Sequence, residues 1–435
     1  MLSKIEFLPL IERRRIKGVK LRLRNTEPFN PENTPPIKKL QEGGEPIGGK
    51  VNIKLQVLYP GNLAYDDLRE VVNAICDKFS SLNLGEVQVE REDIDMYETN
   101  LNALHSKLSE KVSEIDPAKY LPFVVIPDKK ADEFYVTVKR VCTLNDFHSQ
   151  VAATDTLEES KVEEVIGNIC LGIYVEYLLQ RARHDKKFFR DLKGLTWILD
   201  SSADGENRTV YMGFDHSVRR LRGGERAGAA FSVVFDGQGR LLGGSQVSTP
   251  SDRIDEYSLS EVLRDIKRII NVRKVKADRI CLFRDGRLRA SEVKLFIKCA
   301  KEHGFSEVVC VGVVKRHIRK FVLWSEEKTA NPRSGDWAYL GSISFASKKL
   351  HKVVLCTTSP AVRQLYKGRV KRTVVPVFLE ILADDYEKVL REYYWLCHLN
   401  FWCWHGSHKL CLPVRVADAL AKLVSRDIMP KFPSL

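Results

Sequence analysis

Apolar positions change period along this chain, and the changes mark out its elements. Residues 51–58 alternate as a strand, 65–79 carry apolar residues at helical spacing, and 106–115 close a second helix. Tyr120–Ile126 reads as a strongly apolar strand, 134–141 as a short helix, Gln150–Ala153 as a strand and 160–179 as a long helix. Strands alternating with helices predict a parallel sheet with helices packed on it, a Rossmann-like domain over residues 51–190. Ahead of it, residues 1–50 are basic and then rich in Pro and Gly, which predicts a strand or two followed by an extended linker.

After the charged stretch 184–190 the pattern restarts with a strand at 195–199. An apolar strand ends at Gly213-Phe214-Asp215, and a second, 229–234, follows a basic turn. Helix 259–270 separates this hairpin from strand 279–283, which ends in Arg284-Asp285-Gly286. Helix 291–302 and strand 307–314 complete a βαβ unit. Three shorter strands (337–342, 352–357, 374–378) and two helices (384–399, 414–424) follow. A mixed sheet that opens with a hairpin and finishes on helices has the ribonuclease-H-like order, here assigned to residues 191–435. The expected fold class is α/β, a Rossmann-like domain followed by a ribonuclease-H-like one.

With 435 residues, 44% of them apolar, the chain has the length of two to three domains with ordinary cores. It shows no apolar run of the ~20 residues that a membrane span needs. Its opening reaches Glu12-Arg13-Arg14-Arg15 without the apolar core of a signal peptide. The expectation is a soluble, cytoplasmic protein with no membrane span. A net charge of +13 favours a polyanionic partner, since each neutralised phosphate releases counterions. The bland alternative is a merely basic protein. Basic clusters lie at 13–24, 219–226, 315–320 and 367–372.

Ten cysteines without paired CxxC spacing read as reduced thiols. Cys397, His398, Cys403, His405, His408 and Cys411 crowd together at spacings that zinc accepts. Buried thiols and hydrogen-bonded imidazoles are the preferred reading of that cluster.

Two strand-end aspartates separated by a hairpin and a helix suit paired divalent ions that cut phosphodiesters. Each alone is ordinary, because an Asp after an apolar strand is usually a turn or cap residue. Six landmarks in order are more specific. Tyr135-Val136-Thr137-Val138-Lys139 is similar to the guide-end motif of the Argonaute MID domain. Gly213-Phe214-Asp215, Leu282-Phe283-Arg284-Asp285-Gly286, Val313-Val314-Lys315-Arg316-His317, Leu396-Cys397-His398 and Leu412-Pro413 through Asp418 resemble successive landmarks of its PIWI domain. Order and spacing agree from about residue 50 to about 427. The chain thus resembles a short, MID–PIWI-only prokaryotic-type Argonaute, with no room for the family's N-terminal and PAZ domains.

The resemblance implies a two-metal site for Mg2+ or Mn2+, with Asp215 and Asp285 as the central pair and Asp418 as a third ligand. Its remaining catalytic acid is a glutamate on a mobile loop, placed at Glu256 with Glu261 and Asp255 as rivals, which closes on the site once a target is paired. Standing alone, Asp418 would be a polar residue on an amphipathic helix and Glu256 an N-terminal helix acid.

For the guide's 5′ end the resemblance names Tyr135 and Lys139, four apart and hence on one helix face, with Gln150 as an amide donor. The pattern departs where the family has a second lysine, for Gly172 and Glu176 stand there. A carboxylate repels phosphate. Either Lys186, Lys187 or Lys193 substitutes, or the pocket takes another 5′ end such as a hydroxyl. Lys315, His317 and Arg319 alternate on one strand face and would line a channel along the nucleic-acid backbone.

The implied function is guide-directed nucleic-acid binding with metal-dependent endonucleolytic cleavage of the paired target strand. The partners are a short guide and a complementary target, DNA or RNA, and an accessory protein supplying the missing domains or an effector function. The alternatives are a catalytically inert guided sensor that activates a partner effector, and a guide-free nuclease.

Overall fold

Period-two alternation gives each strand one set of side chains for each face, and both sheets of this protein use both faces. The computed structural model describes residues 14–60, 65–94, 101–127, 131–158, 163–220, 226–249, 254–315, 323–324, 329–330, 334–357, 376–402, 408–425 and 428.

The first sheet is built from β1 (Val51–Pro60), β2 (Gly85–Ile94), β3 (Tyr120–Ile126) and β4 (Gln150–Ala153). They are all parallel, in the order β2-β1-β3-β4. Helices α1 (Tyr65–Ser81), α2 (Leu101–Ser113), α3 (Ala131–Leu144) and α4 (Glu163–His184) cover it. Leu121, Phe123 and Val125 enter a core shared with α1 and α4, whereas Val124 and Ile126 meet Leu108, Val112, Val138 and Val141 of α2 and α3. This is the Rossmann-like arrangement anticipated. The edge strand β2 was not anticipated: Glu86, Gln88 and Glu90 are exposed and Val87 and Val89 only half-buried, so its apolar signal is weak.

Residues 14–50 correct the expectation of an extended linker. Arg14–Arg15 pairs with the second sheet, Leu21–Arg22 pairs with Ile198–Leu199, and Pro36–Gln41 is a helix with proline in its first turn. Leu21, Leu23, Phe29, Ile37 and Leu40 are buried in the core that runs beneath both sheets. These apolar residues are spread between Pro and Gly turns, so the segment has no periodicity to read. Those five side chains are nonetheless buried.

The second sheet contains β5 (Thr209–Arg220), β6 (Arg226–Phe235) and β7 (Leu241–Thr249), then α5 (Glu256–Val272), β8 (Arg279–Asp285), α6 (Ala290–Glu302) and β9 (Glu307–Val314). Then come β10 (Asp336–Phe345), β11 (Lys348–Leu355), β12 (Val377–Leu382), α7 (Tyr386–Leu396) and α8 (Leu412–Ser425). From the Arg14–Arg15 edge the order is β10-β11-β12-β9-β8-β5-β6-β7. Strands β5 to β7 form an antiparallel meander, and β5, β8 and β9 run parallel. That is the ribonuclease-H-like order.

Tyr211, Phe283 and Val311 share one core with Tyr393 of α7, while Met212, Leu282 and Cys310 share another with α5 and α6. Phe283 stacks on Tyr211 at 5.9 Å and meets Tyr393 edge-on at 5.5 Å. Burying one such ring contributes about 1.5–3 kcal/mol. At the base of the sheet, buried Arg279 donates to buried Glu392 of α7 at 2.8 Å and to the Thr209 hydroxyl at 2.9 Å. Just before β5, the buried Asp204 carboxylate accepts from the amides of Asn207, Arg208 and Thr209 at 2.8–3.0 Å. No helix among the described residues is long and apolar enough to cross a membrane.

Candidate active site

The site is assembled by register. Strands β5 and β8 are parallel neighbours paired Phe214 to Arg284, so Asp285 at the C-terminal end of β8 stands beside Asp215. Strand β5 itself does not end at Asp215 as its apolar pattern suggests but runs on to Arg220 against β6. Asp215 has the parity of Tyr211 and Gly213, and Asp285 that of Cys281 and Phe283, which puts both on the face that α8 covers. A Cβ on Gly213 would lie 1.9 Å from the carbonyl oxygen of Pro413. Only glycine lets the first turn of α8 press this closely on β5. Five residues further along α8 comes Asp418. Asp215, Asp285 and Asp418 each offer a carboxylate oxygen within 4.8 Å of the other two.

Burial, and then the charge of Asp285, push the Asp215 carboxyl well above the usual carboxylate range. Burial also works against Asp418, but hydrogen bonds from Lys315 and Lys422 outweigh it and hold that carboxyl below its ordinary value. Lys315 follows β9 directly and has the parity of Val313, the register partner of Asp285. Its ammonium pairs with Asp285 and donates to Asp418 Oδ1 at 2.5 Å. Lys422 Nζ lies 2.8 Å from Asp418 Oδ2, and Lys409 Nζ donates to the Lys315 carbonyl at 2.7 Å. Burial opposes the Lys315 charge, yet the two carboxylates raise its pKa above the usual value. An oxygen-only donor set with an ammonium already seated among the carboxylates fits a hard divalent cation such as Mg2+ or Mn2+.

Residues 122–429 match the Piwi domain family. The chain belongs to that family. Clostridium butyricum Argonaute, solved with a guide DNA (5′ deoxycytidine) and a 19-mer target DNA, superposes with a TM-score of 0.71 at 17% identity, over 96% of this chain and 53% of that one. Aa-Ago with externally bound siRNA gives 0.67 at 18% identity, over 96% and 54%. Aquifex aeolicus Argonaute gives 0.60 at 17% identity, over 97% and 56%. The chain thus has the fold of these Argonautes and spans about half their length. No curated protein sequence matches it.

In this Piwi chain the acidic trio comes together, but Glu256 does not join it. Helix α5 begins earlier than its periodicity suggests, and Glu256 is its first residue rather than part of a loop. Its carboxylate pairs with exposed Lys298 at 2.6 Å and neighbours Cys299 and Glu302. The rivals are engaged elsewhere: Asp255 caps α5 by accepting from the Ser258 amide at 2.7 Å, and Glu261 pairs with Arg264. Lys315 also departs from expectation, because its head group is held by carboxylates rather than presented to a channel. His317 and Arg319 lie outside the described residues.

Tyr135, Lys139 and Gln150 do come near one another. The Lys139 ammonium sits 5.9 Å over the Tyr135 ring and donates to the carbonyl of Ser149, next to Gln150. Gly172 makes room for Gln150, since a Cβ there would lie 2.5 Å from Gln150 Oε1. Glu176 joins this cluster through His148, whose Nδ1 is 2.8 Å from Glu176 Oε2. Burial disfavours the Glu176 charge, but Lys139 and the His148 bond outweigh it and keep the carboxyl below its ordinary range. The substitute lysines Lys186, Lys187 and Lys193 are exposed.

Sequence reasoning missed Lys422 and His148, and placed Gly213 in a motif without its packing role. Lys422 was findable as the i+4 partner of Asp418; the other two depend on contacts across the fold. Cys397 and Cys411 are buried thiols. His408 Nδ1 accepts from the Leu410 amide at 3.0 Å. The ring of His398 is buried edge-on to Tyr394 with neither nitrogen hydrogen-bonded among the described residues. Burial pushes both imidazoles down to about 4. Cys403 and His405 lie outside the described residues.

Proposed function

We propose that this chain binds a short guide nucleic acid by its 5′ end and cleaves the complementary target strand in a divalent-metal-dependent reaction. One observation carries the reading: three carboxylates from β5, β8 and α8, distant in sequence, converge within 4.8 Å. Asp215, Asp285 and Asp418 are the residues that would hold Mg2+ or Mn2+. Bound there, such ions would activate water and stabilise the leaving oxygen of a phosphodiester. Rigid parallel strands fix the first two carboxylates, and backbone contact at Gly213 fixes the third. Tyr135, Lys139 and Gln150 would receive the guide's end, which assigns residues 51–190 to guide anchoring and 191–435 to the nuclease. The charge of +13 suits two polyanionic strands.

A guided sensor that binds without cutting, and that acts through a partner effector protein, is the second reading. The observation favouring it is that Glu256 belongs to helix α5 rather than to a mobile loop, and pairs with Lys298 outside the trio. Labelled targets, complementary or scrambled, incubated with guides and Mn2+ test both. Cleavage at a fixed distance from the guide's 5′ end, lost in Asp215→Ala and Asp285→Ala, supports the nuclease. Guide-dependent target binding without cleavage by the wild type leaves the sensor. Cuts that ignore the guide sink both.

A further inference from the structure

The structure assigns Lys315 a role beyond contact with a nucleic-acid backbone. We propose that it is a built-in counter-ion that competes with divalent metal for Asp285 and Asp418, so that metal enters the trio only as the lysine head group leaves. The inference rests on reading the trio as a metal site.

Position carries it. The Lys315 ammonium reaches two of the three carboxylates that would hold a metal, Asp285 and Asp418. An ion bound to oxygens at about 2.0–2.2 Å cannot share that space with an ammonium, because the two cations would repel at contact distance. Besides these two ion pairs, Lys315 is held at its backbone, where Lys409 donates to its carbonyl at 2.7 Å. Its four-carbon stem is long and flexible, so release of the head group does not require the backbone at the end of β9 to move. When it leaves, Asp418 keeps Lys422 at 2.8 Å.

Charge gives the exchange a direction. The ammonium offsets part of the repulsion among the three carboxylates, so the trio can fold without metal. A monovalent ion replacing it adds no charge and loses the covalent tether. A divalent ion adds one charge for each lysine released. Lys315 therefore filters for multivalent cations and weakens their binding.

Mn2+ titration calorimetry on the full chain tests this, with wild type, Lys315→Met, Lys422→Met and Asp285→Asn compared and folding checked by circular dichroism. The expected result is Mn2+ binding about tenfold tighter or more in Lys315→Met, a smaller change in Lys422→Met and loss in Asp285→Asn. Equal or weaker binding in Lys315→Met, with Asp285→Asn still inactive in binding, would overturn the competition and leave the metal site standing. Equal tightening in Lys422→Met would also overturn it, since bulk charge would then suffice. Absence of Mn2+ binding in wild type and Lys315→Met alike would remove the metal site itself. Should Lys315→Met fail to fold, amine labelling of the wild type read by mass spectrometry decides: Mn2+ should speed modification of Lys315 several-fold, and unchanged labelling would overturn the proposal.

Discussion

Gly213 and Pro413 touch backbone to backbone, with no space for a methyl group between strand and helix. Gly213→Ala should therefore lift the start of α8 and carry Asp418 away from Asp215. We expect a loss of about 1–3 kcal/mol of stability together with weaker Mn2+ binding. Urea unfolding and metal titration on the same variant check both, and wild-type values in each would show that this contact does not set the site.

Asp215→Asn should separate stability from metal binding. Burial and the neighbouring Asp285 charge disfavour the ionised carboxylate, so the amide removes a repulsion. In chelator the variant should equal or exceed the wild type, by up to about 1 kcal/mol. In Mn2+ the wild type should gain stability by binding and the variant should not. Thermal unfolding in the two buffers reads the reversal.

Asp204 should make the protein sensitive to acid. Although burial opposes it, bonds from Ser202, Thr209 and neighbouring amides depress its carboxyl from 3.8 to about 2. Its contribution is thus complete above the unfolded value and is lost as pH falls through the folded one. Asp204→Asn should cost about 1–3 kcal/mol at neutral pH, and its deficit should shrink between about pH 4 and pH 2. A deficit that is constant over that range would contradict the assignment.

The Arg279–Glu392 pair should behave as a buried unit. Glu392→Ala leaves the guanidinium only Thr209 and the exposed Glu307 carboxylate and should cost up to about 3 kcal/mol, whereas the double variant Arg279→Met/Glu392→Leu should cost far less. A double-mutant cycle in denaturant measures the coupling; simple additivity would rule it out.

In the first domain, Glu176→Lys should change which guide is preferred. It replaces a carboxylate beside Lys139 and His148 with a second ammonium. The ratio of affinities for 5′-phosphorylated over 5′-hydroxyl guides should rise about tenfold. Paired binding assays with the two guides give that ratio, and no change would detach this cluster from the guide's end.

A strong apolar signal was readable wherever a strand or helix is deeply buried, as a continuous run in β3, β8, β9 and α4 and as a helical period in α5 to α8. Strand β5 belongs with the former. Edge strands β2 and β7 escaped notice, because a half-exposed β2 and a β7 with Gly243, Gly244 and Ser245 in place of apolar residues carry little pattern. Residues 14–50 escaped for a related reason: their burial comes from packing under two sheets, not from a regular element.

Asp215 and Asp285 were legible as candidates from the sequence, since local pattern decides which side of a strand a residue occupies, whereas Asp418 was legible only through the family resemblance. Their meeting was not a local matter. It needed the parallel register of β5 on β8 and a glycine that admits α8. The same register brought Lys315 among the carboxylates, while an early start to α5 left Glu256 with Lys298. Alternation along one strand is set by the chain's own geometry. Which charge faces which across seventy to two hundred residues is set only when those strands and helices pack.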